Sequence, residues 1–292
     1  MRRLTSGRRG NELPVWSPDG RSIATRGGRG IEILDRRGRV LSTVRTLGWP
    51  GPVKWSPDGR RLAFAELPRA GGIRVVTASV NGGDRRVVAR DAGFPDWSPD
   101  GRTIYYGHLH GEYYFLDSIW SVSSNGGRAR ELVPRVNNYF GLSPGGRWLL
   151  YERSSRDYEI RIARADGSGE QRDLWRDGAY LVGWAPQGLG VHLRPVGARK
   201  LRLVSIGGDV RIPGVRPAGQ WLLTWSPDAR HIAWVREHYG KDVQVQSSRL
   251  DGERRRVLAR FTSKPPFTEI ETLEWSPDDR QLVVEAHRHI GD

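Results

Sequence analysis

A pentapeptide of tryptophan, serine, proline, aspartate and glycine recurs along this chain at a near-constant spacing. Three copies are intact and four are altered; in chain order they are Trp16–Gly20, Trp55–Gly59, Trp97–Gly101, Leu142–Gly146, Trp184–Gly188, Trp225–Ala229 and Trp275–Asp279. Successive copies begin between 39 and 50 residues apart. Repeats of about 40–45 residues are typical of β-propellers, in which each repeat forms one blade of four strands.

Each repeat contains the signals for four strands. Strand A ends at the repeated tryptophan, and the residues after it favour a tight turn, because proline presets φ and glycine tolerates a positive φ. Strand B is an apolar run such as Leu62–Phe64, strand C alternates as at Ile160 and Ile162, and strand D is basic, as at Arg85–Val88. These patterns predict an all-β propeller of seven blades, each of four antiparallel strands, as one domain over residues 1–292.

The two ends of the chain leave the number of blades open. The seventh repeat ends after strand B, at residues 281–286, and has no signal for strand C. Arg2–Thr5 is similar to a strand D and is expected to help complete the last blade. An incomplete last blade and a propeller of six blades with a remnant are the alternatives.

The pentapeptide, the arginine after it, the apolar strand and the Asp-Gly or Gly-Gly turn together resemble the WD40-like propeller repeat of the TolB family. The resemblance covers the whole chain and implies a periplasmic or extracytoplasmic scaffold that binds proteins. A cytoplasmic location is expected instead if the N-terminus is complete as written. Similar propellers accompany α/β-hydrolase domains in dipeptidyl-peptidase-like enzymes, but this sequence has no Gly-x-Ser-x-Gly nucleophile elbow.

Composition narrows the possible partners. The chain has 47 basic and 33 acidic residues and a formal net charge of +14, which suggests anionic ligands. Almost all of the basic residues are arginines, as is typical of GC-rich genomes. The absence of cysteine excludes disulfides and thiolate chemistry, and no apolar run reaches the roughly 20 residues that span a bilayer. Nucleic acid is not expected as a partner, because no stacking motif lies among the basic runs, and a monomer is expected.

The strand order predicts which loops share a face. The A–B and C–D turns lie at one end of each blade, and the B–C and D–A loops, which vary in length, lie at the other. The predicted ligand-binding residues of the second face are Trp49, His108, His110, Glu112, Tyr113, Tyr114, Asn138, Tyr139, Tyr158, His238 and Tyr239. Aromatic rings, amides and arginines suit a protein, peptide or glycan. We therefore expect a binding scaffold with no cofactor, no catalytic residue and no metal site.

Two alternatives remain open. His108, His110 and Glu112 would lie on one side of an extended strand, and two histidines with a carboxylate can bind a divalent metal. The same spacing recurs in a second trio, Glu285, His287 and His289. These trios favour a metal-dependent lyase or hydrolase acting on polysaccharide, by similarity to the oligogalacturonate lyase propellers. The other alternative is binding of an anionic polymer by the arginines of the outer strands.

Overall fold

The computed structural model describes residue 4 and residues 12–111, 115–153, 159–188, 190–198, 201–207, 210–211, 222–237, 242–262 and 267–289. These residues form strands, turns and one short 3₁₀ helix, Pro186–Gly188. Contacts between Cα atoms divide the chain into two compact units. One unit comprises residues 15–178, and the other comprises residues 1–14 and 179–292.

The first four sheets occupy residues 12–175. Their strands in chain order are β1 (Glu12–Trp16), β2 (Ser22–Gly27), β3 (Gly30–Asp35), β4 (Val40–Arg45), β5 (Gly48–Trp55), β6 (Arg61–Pro68), β7 (Arg74–Ser79), β8 (Arg86–Arg90), β9 (Ala92–Trp97), β10 (Thr103–His110), β11 (Phe115–Ser123), β12 (Arg130–Pro134), β13 (Val136–Leu142), β14 (Trp148–Arg153), β15 (Ile160–Arg164) and β16 (Gln171–Trp175). Each sheet takes four consecutive strands, which lie side by side in chain order.

The remaining sheets belong to the other unit. Their strands are β17 (Ala179–Trp184), β18 (Val191–Pro195), β19 (Arg202–Val204), β20 (Val210–Arg211), β21 (Leu223–Trp225), β22 (His231–Glu237), β23 (Asp242–Arg249), β24 (Arg256–Thr262), β25 (Phe267–Trp275) and β26 (Leu282–His289). The fifth and sixth sheets have four strands each, and the seventh consists of β25 and β26.

The predicted all-β class and the four-stranded repeat are confirmed. Among the described residues, six sheets have four strands and the seventh has two, so the last blade is incomplete there, as one of the alternatives expected. Of the proposed N-terminal strand, Arg2, Arg3 and Thr5 lie outside the described residues. The assignment of residues 1–292 to one domain stays a prediction.

The A–B turn is the same hydrogen-bonded structure in most repeats. In the second repeat the Ser56 hydroxyl donates to Asp58 Oδ1 at 2.6 Å, and the same oxygen accepts the Arg60 N–H at 3.0 Å. The Arg61 N–H donates to Ser56 Oγ at 2.8 Å, and the Gly59 N–H donates to the Ser56 carbonyl at 2.9 Å. The serine–aspartate bond has the same 2.6 Å length in the first, third, sixth and seventh turns. The hydrogen bond from Ser56, followed by the one from Arg60, lowers the pKa of Asp58.

The last position of the turn needs a left-handed backbone. Its glycine adopts a φ of 65° to 70° in the first four copies, a conformation that costs glycine little. A Cβ built at Gly59 would point toward the preceding turn and lie 3.8 Å from Cδ of Pro18. Ala229 and Asp279 take the same conformation, with φ of 57° and 61°, although neither is glycine.

The repeated tryptophans join neighbouring sheets. The Trp55 indole N–H donates to the Val15 carbonyl at 3.1 Å, and that of Trp97 donates to the Lys54 carbonyl at 3.2 Å. Each acceptor is the residue before the tryptophan of the preceding sheet. Apolar side chains such as the fully buried Phe64 fill the space between the first and second sheets. The repeated tryptophan therefore has a structural role.

A histidine replaces the carbonyl acceptor at the sixth sheet. The Trp225 indole N–H donates to His192 Nδ1 at 3.1 Å. His192 lies in β18 and is buried, and this burial lowers its pKa to about 3. The imidazole is therefore neutral in the folded protein at neutral pH, which leaves Nδ1 free to accept this bond.

We expect Asp58→Ala to lower the free energy of unfolding by roughly 1 kcal/mol at pH 7, because the Ser56 hydroxyl and the Arg60 N–H lose their acceptor. Asp58→Asn keeps an acceptor oxygen but not the charge. Since the folded state lowers the pKa of Asp58, the contribution of its charge is present above about pH 4 and is lost as the pH falls further. Urea titrations from pH 7 to pH 3 compare the free energy of unfolding of the wild type with that of Asp58→Asn. Asp177→Asn, at an exposed aspartate outside the turns, is the control, and an equal effect at both positions would contradict the prediction.

We expect His192→Leu to flatten the pH dependence of stability on the acid side of neutrality. The ordinary pKa of about 6.5 falls to about 3 in the folded protein, so the unfolded state binds the proton more tightly. The contribution of neutral His192 is therefore complete above about pH 6.5 and is lost by up to about 1.4 kcal/mol per pH unit as the pH falls toward 3.

Denaturant unfolding between pH 7.5 and pH 4.5 measures this slope. The exposed His110 provides the control variant His110→Leu, which should keep the wild-type slope. Leucine is a reasonable replacement because Leu150 occupies the equivalent position of β14. A slope unchanged in His192→Leu would mean that the fold does not lower the pKa of His192.

Candidate functional site

The second and third sheets place a group of exposed side chains at the end opposite their A–B turns. Gly48, the first residue of β5, pairs with Pro68, the last residue of β6. In the third sheet, β9 begins at Ala92, which pairs with His108 near the end of β10. Strands β5, β6 and β7 contact β9, and at this end a Cβ built at Gly72, just before β7, would lie 2.7 Å from Asp91 Oδ1, just before β9. This is the B–C and D–A end that the sequence predicted to vary.

Four large apolar side chains are exposed at this end. Leu47, Trp49 and Leu67 of the second sheet are 60%, 63% and 39% exposed, and we call these three the Trp49 patch; Phe94 of the third sheet is 47% exposed. Trp49 and Leu67 are cross-strand partners, and a Cβ built at Gly107 of β10 would lie 3.5 Å from Phe94 Cδ2. Exposed apolar groups of this kind mark interaction sites, because a partner that covers them removes apolar surface from water.

Arg26 holds the Trp49 side chain in place. Its guanidinium carbon lies 3.8 Å from the centroid of the Trp49 ring, and its Nη1 donates to the Pro50 carbonyl at 3.1 Å. Arg26 comes from β2, so the neighbouring sheet braces the indole. A cation–π contact at an exposed site contributes about 0.5–1 kcal/mol. The ring is thus oriented before any ligand arrives, which lowers the entropic cost of binding.

A buried carboxylate fixes the segment that carries the patch. Glu66 lies in β6 with a fully buried side chain. Its Oε1 accepts from Arg74 Nε at 2.9 Å and also bonds Arg85 Nη2, and its Oε2 accepts the Leu47 N–H at 3.1 Å. A buried charge is tolerated only when it is paired and hydrogen-bonded. Glu66 therefore ties the loop that enters β5 to strand β7 and to the segment that leads into β8.

Gly48, between Leu47 and Trp49, allows the backbones of β5 and β6 to approach closely. A Cβ at this position would lie 1.7 Å from the Leu67 carbonyl oxygen, a distance that no side chain tolerates. Glycine is thus required where the patch begins. The local sequence Leu-Gly-Trp places one exposed apolar side chain, Leu47 or Trp49, on each side of this contact.

The two histidines predicted for this face lie in different surroundings. His108 is half-buried; its ring centroid lies 5.8 Å from that of Trp120, and its Nδ1 is buried without a hydrogen-bond partner in the described structure. His110 is exposed at the end of β10. The register between β10 and β11 shifts between His108 and Leu109, so simple strand alternation does not govern this stretch.

Asn138 and Tyr139 point to opposite sides of β13. Asn138 is exposed, whereas Tyr139 is 6% exposed and packs in the core with Tyr105 and Tyr151. Burial, followed by the nearby charge of Asp96, raises the pKa of Tyr139 well above its ordinary value. The predicted ligand-binding residues Glu112, Tyr113, Tyr114, Tyr158, His238 and Tyr239 lie outside the described residues. Of the predicted set, the structure thus places Trp49, His108, His110 and Asn138 at the surface or partly exposed.

In the second predicted metal trio, the carboxylate of Glu285 makes structural hydrogen bonds. Glu285 is buried, and its Oε2 accepts the Leu13 N–H at 2.9 Å and the Thr272 hydroxyl at 2.8 Å. His287 and His289 lie in β26. Glu112 of the first trio lies outside the described residues, so that trio stays a prediction.

The described residues bring together a different trio, Asp228, His231 and Asp279, which sequence reasoning missed. These residues come from two turns about 50 positions apart, so no local spacing connects them. The signal present in the sequence was the replacement of the turn glycine by Asp279, a departure from the repeat.

Comparison with known proteins supports the fold. No model of a known protein family matches the chain. An uncharacterized protein of Agrobacterium fabrum is 27% identical over 263 aligned residues, which cover 77% of this chain and 84% of that protein. The solved structure of a protein designated TolB from Agrobacterium tumefaciens matches 97% of this chain and 92% of its own, with 19% identity and a TM-score of 0.56.

An enzyme is also among the similar structures. A solved prolyl endopeptidase matches 97% of this chain but only 50% of its own, with 15% identity and a TM-score of 0.66. At these identities the likenesses show the β-propeller fold, and TolB propellers are among the structures that share it.

Among the described residues, no helix has the length and apolar character needed to cross a bilayer.

We expect Glu66→Gln to lower the free energy of unfolding by roughly 3–5 kcal/mol, because two arginines and a backbone N–H lose the charge that pairs with them in the interior. Glu131→Gln, at an exposed glutamate of β12, should change stability by less than about 0.5 kcal/mol. Denaturant unfolding at pH 7 compares the two variants. Similar small effects in both would mean that Glu66 does not organise this loop.

Proposed function

We propose that this chain is a non-enzymatic β-propeller that binds a protein partner through an extended peptide segment at the Trp49 patch. The observation that carries the proposal is an indole exposed by 63% yet stacked on Arg26. Tryptophan contributes strongly to binding energy where it is buried by a partner, and a rigid ring loses little entropy on binding. The β-propeller fold shared with TolB supports a scaffold of this kind.

The charges around the patch favour a segment with carboxylates beside its apolar residues. Arg45, Arg69 and Arg90 are exposed at the same strand ends of the first and second sheets. The formal net charge of +14 adds a long-range attraction for acidic partners. The partner segment would then place a leucine or aromatic side chain against Trp49 and its carboxylates against the arginines.

The test uses an array of synthetic peptides that carry leucine or phenylalanine beside Asp and Glu, with matched Asn and Gln versions. We expect the acidic peptides to bind wild-type protein and to bind Trp49→Ala at least tenfold more weakly, the usual effect at a dominant contact. Trp49→Ala loses the exposed contact with Arg26, so the melting temperature should fall by no more than about 4 °C. Fluorescence anisotropy of the selected peptides measures both affinities.

The matched control is Leu41→Ala. Leu41 is 50% exposed on the outer strand β4, so the variant removes exposed apolar surface away from the patch. Equal affinities for Trp49→Ala and wild type would contradict the proposal. Binding of polyphosphate or heparin that falls steeply with salt and ignores Trp49→Ala would favour the anionic-polymer alternative instead.

A further inference from the structure

The A–B turns of the sixth and seventh sheets depart from the repeat at the glycine position. The turn glycine is replaced by Ala229 in one and by Asp279 in the other, and His231 follows the first of these turns. Both turns keep the regular backbone bonds, because the Ala229 and Asp279 N–H groups donate to the serine carbonyls at 2.9 Å. The substitutions therefore change the side chains that the two turns present without changing the turn itself.

Repeat geometry determines where the Asp279 side chain points. In regular turns a Cβ at the glycine position faces the proline of the preceding turn, 3.7 Å from Pro57 Cδ at Gly101 and 2.6 Å from Pro99 Cδ at Gly146. Asp279 occupies this position in the seventh turn. Its carboxylate therefore extends toward the sixth turn, which carries Asp228 and His231.

The three side chains meet at short range. One ligand atom each from Asp228, His231 and Asp279 lies within 4.8 Å of the other two. Asp279 Oδ1 is buried and has no hydrogen-bond partner in the described structure. The orientation of Asp228 is set independently, because its Oδ1 accepts the Ser226 hydroxyl at 2.6 Å and the Arg230 N–H at 2.9 Å. An acceptor without a donor thus lies beside a carboxylate that is already held in place.

Arg230 makes one long and exposed ion pair with the trio, through Asp228. Arg230 Nε lies 4.0 Å from Asp228 Oδ2, and its side chain is 82% exposed. Asp278 is exposed in the same turn and adds negative charge. Burial and then the Asp228 carboxylate raise the pKa of Asp279, whereas His231 opposes this effect. The site therefore presents two oxygen donors and one imidazole in a negative environment.

We propose that Asp228, His231 and Asp279 bind a divalent transition-metal ion, with Zn²⁺ the best match, between the turns of the sixth and seventh sheets. Carboxylate oxygens together with an imidazole nitrogen are typical zinc ligands, whereas Mg²⁺ and Ca²⁺ prefer sites made only of oxygen. The ion joins the two-stranded seventh sheet to the four-stranded sixth sheet. It acts as a structural link and is independent of the Trp49 patch.

The first measurement is isothermal titration of the chelator-treated 292-residue chain with ZnCl₂, and separately with MgCl₂ and CaCl₂. We expect one equivalent of Zn²⁺ to bind and the other two ions to bind at least a hundredfold more weakly. At a hundredfold excess of Zn²⁺ over its Kd, the melting temperature should rise by about 5 °C. A failure of Zn²⁺ to bind, or tighter binding of Ca²⁺ than of Zn²⁺, would overturn the proposal.

Two variants and one control locate the ion. Asp279→Gly restores the residue of the regular turns, so the variant should fold at least as well as the wild type and bind Zn²⁺ at least tenfold more weakly. His231→Gln takes the residue found at the same turn position in the seventh repeat, Gln281, and should weaken Zn²⁺ by a similar factor. The exposed His110, changed to Gln, should leave Zn²⁺ affinity unchanged. Zn²⁺ affinity lost in His110→Gln and retained in the other two variants would place the ion elsewhere and refute this site.

Discussion

The A–B turn is the constraint on which the repeated structure depends. Its serine is buried in the regular copies, so both the hydroxyl and the surrounding backbone groups need partners inside the protein. The hydroxyl meets this need twice, by donating to the aspartate two residues later and by accepting the N–H that begins strand B. The turn therefore closes strand A onto strand B with few unsatisfied groups. Its last residue also faces the proline of the preceding turn, so successive repeats are set against one another at this end.

A rigid turn at one end of each blade leaves the opposite end free to differ. In the second sheet the difference is organised by one buried charge rather than by repeated contacts. Glu66 has no counterpart in the same strand position of the first or third sheet, where Gly27 and His108 stand. Because a buried carboxylate needs several partners, Glu66 draws two arginines and the Leu47 N–H to itself. Trp49, two residues after Leu47, thus lies on an ordered loop, and Arg26 of the neighbouring sheet also contacts its indole.

Much of the fold was predictable because its signals are local. The turn residues, the apolar run of strand B and the spacing of the tryptophans each lie within a few positions of the strand that they define. The candidate site was predictable only in part, because its geometry depends on strand register. Asn138 and Tyr139 are adjacent, yet one is exposed and the other lies in the core, and the register of β13 against β14 shifts on both sides of this pair. The contact of Arg26 with Trp49 joins two repeats, and no pattern within either repeat indicates it.

In a repeat protein, a residue that differs from the other copies can be compared with the regular residue at the same position. An aspartate in a left-handed conformation is costly where glycine costs little, and the regular turns show that the fold itself requires no carboxylate there. Asp279 lies in the seventh sheet, which has two strands among the described residues and contacts the sixth sheet through β25. A two-stranded sheet alone is only marginally stable in water. An ion held by side chains of both turns binds the assembled sheets and not the unfolded chain, so it would stabilise the blade that has the least internal pairing.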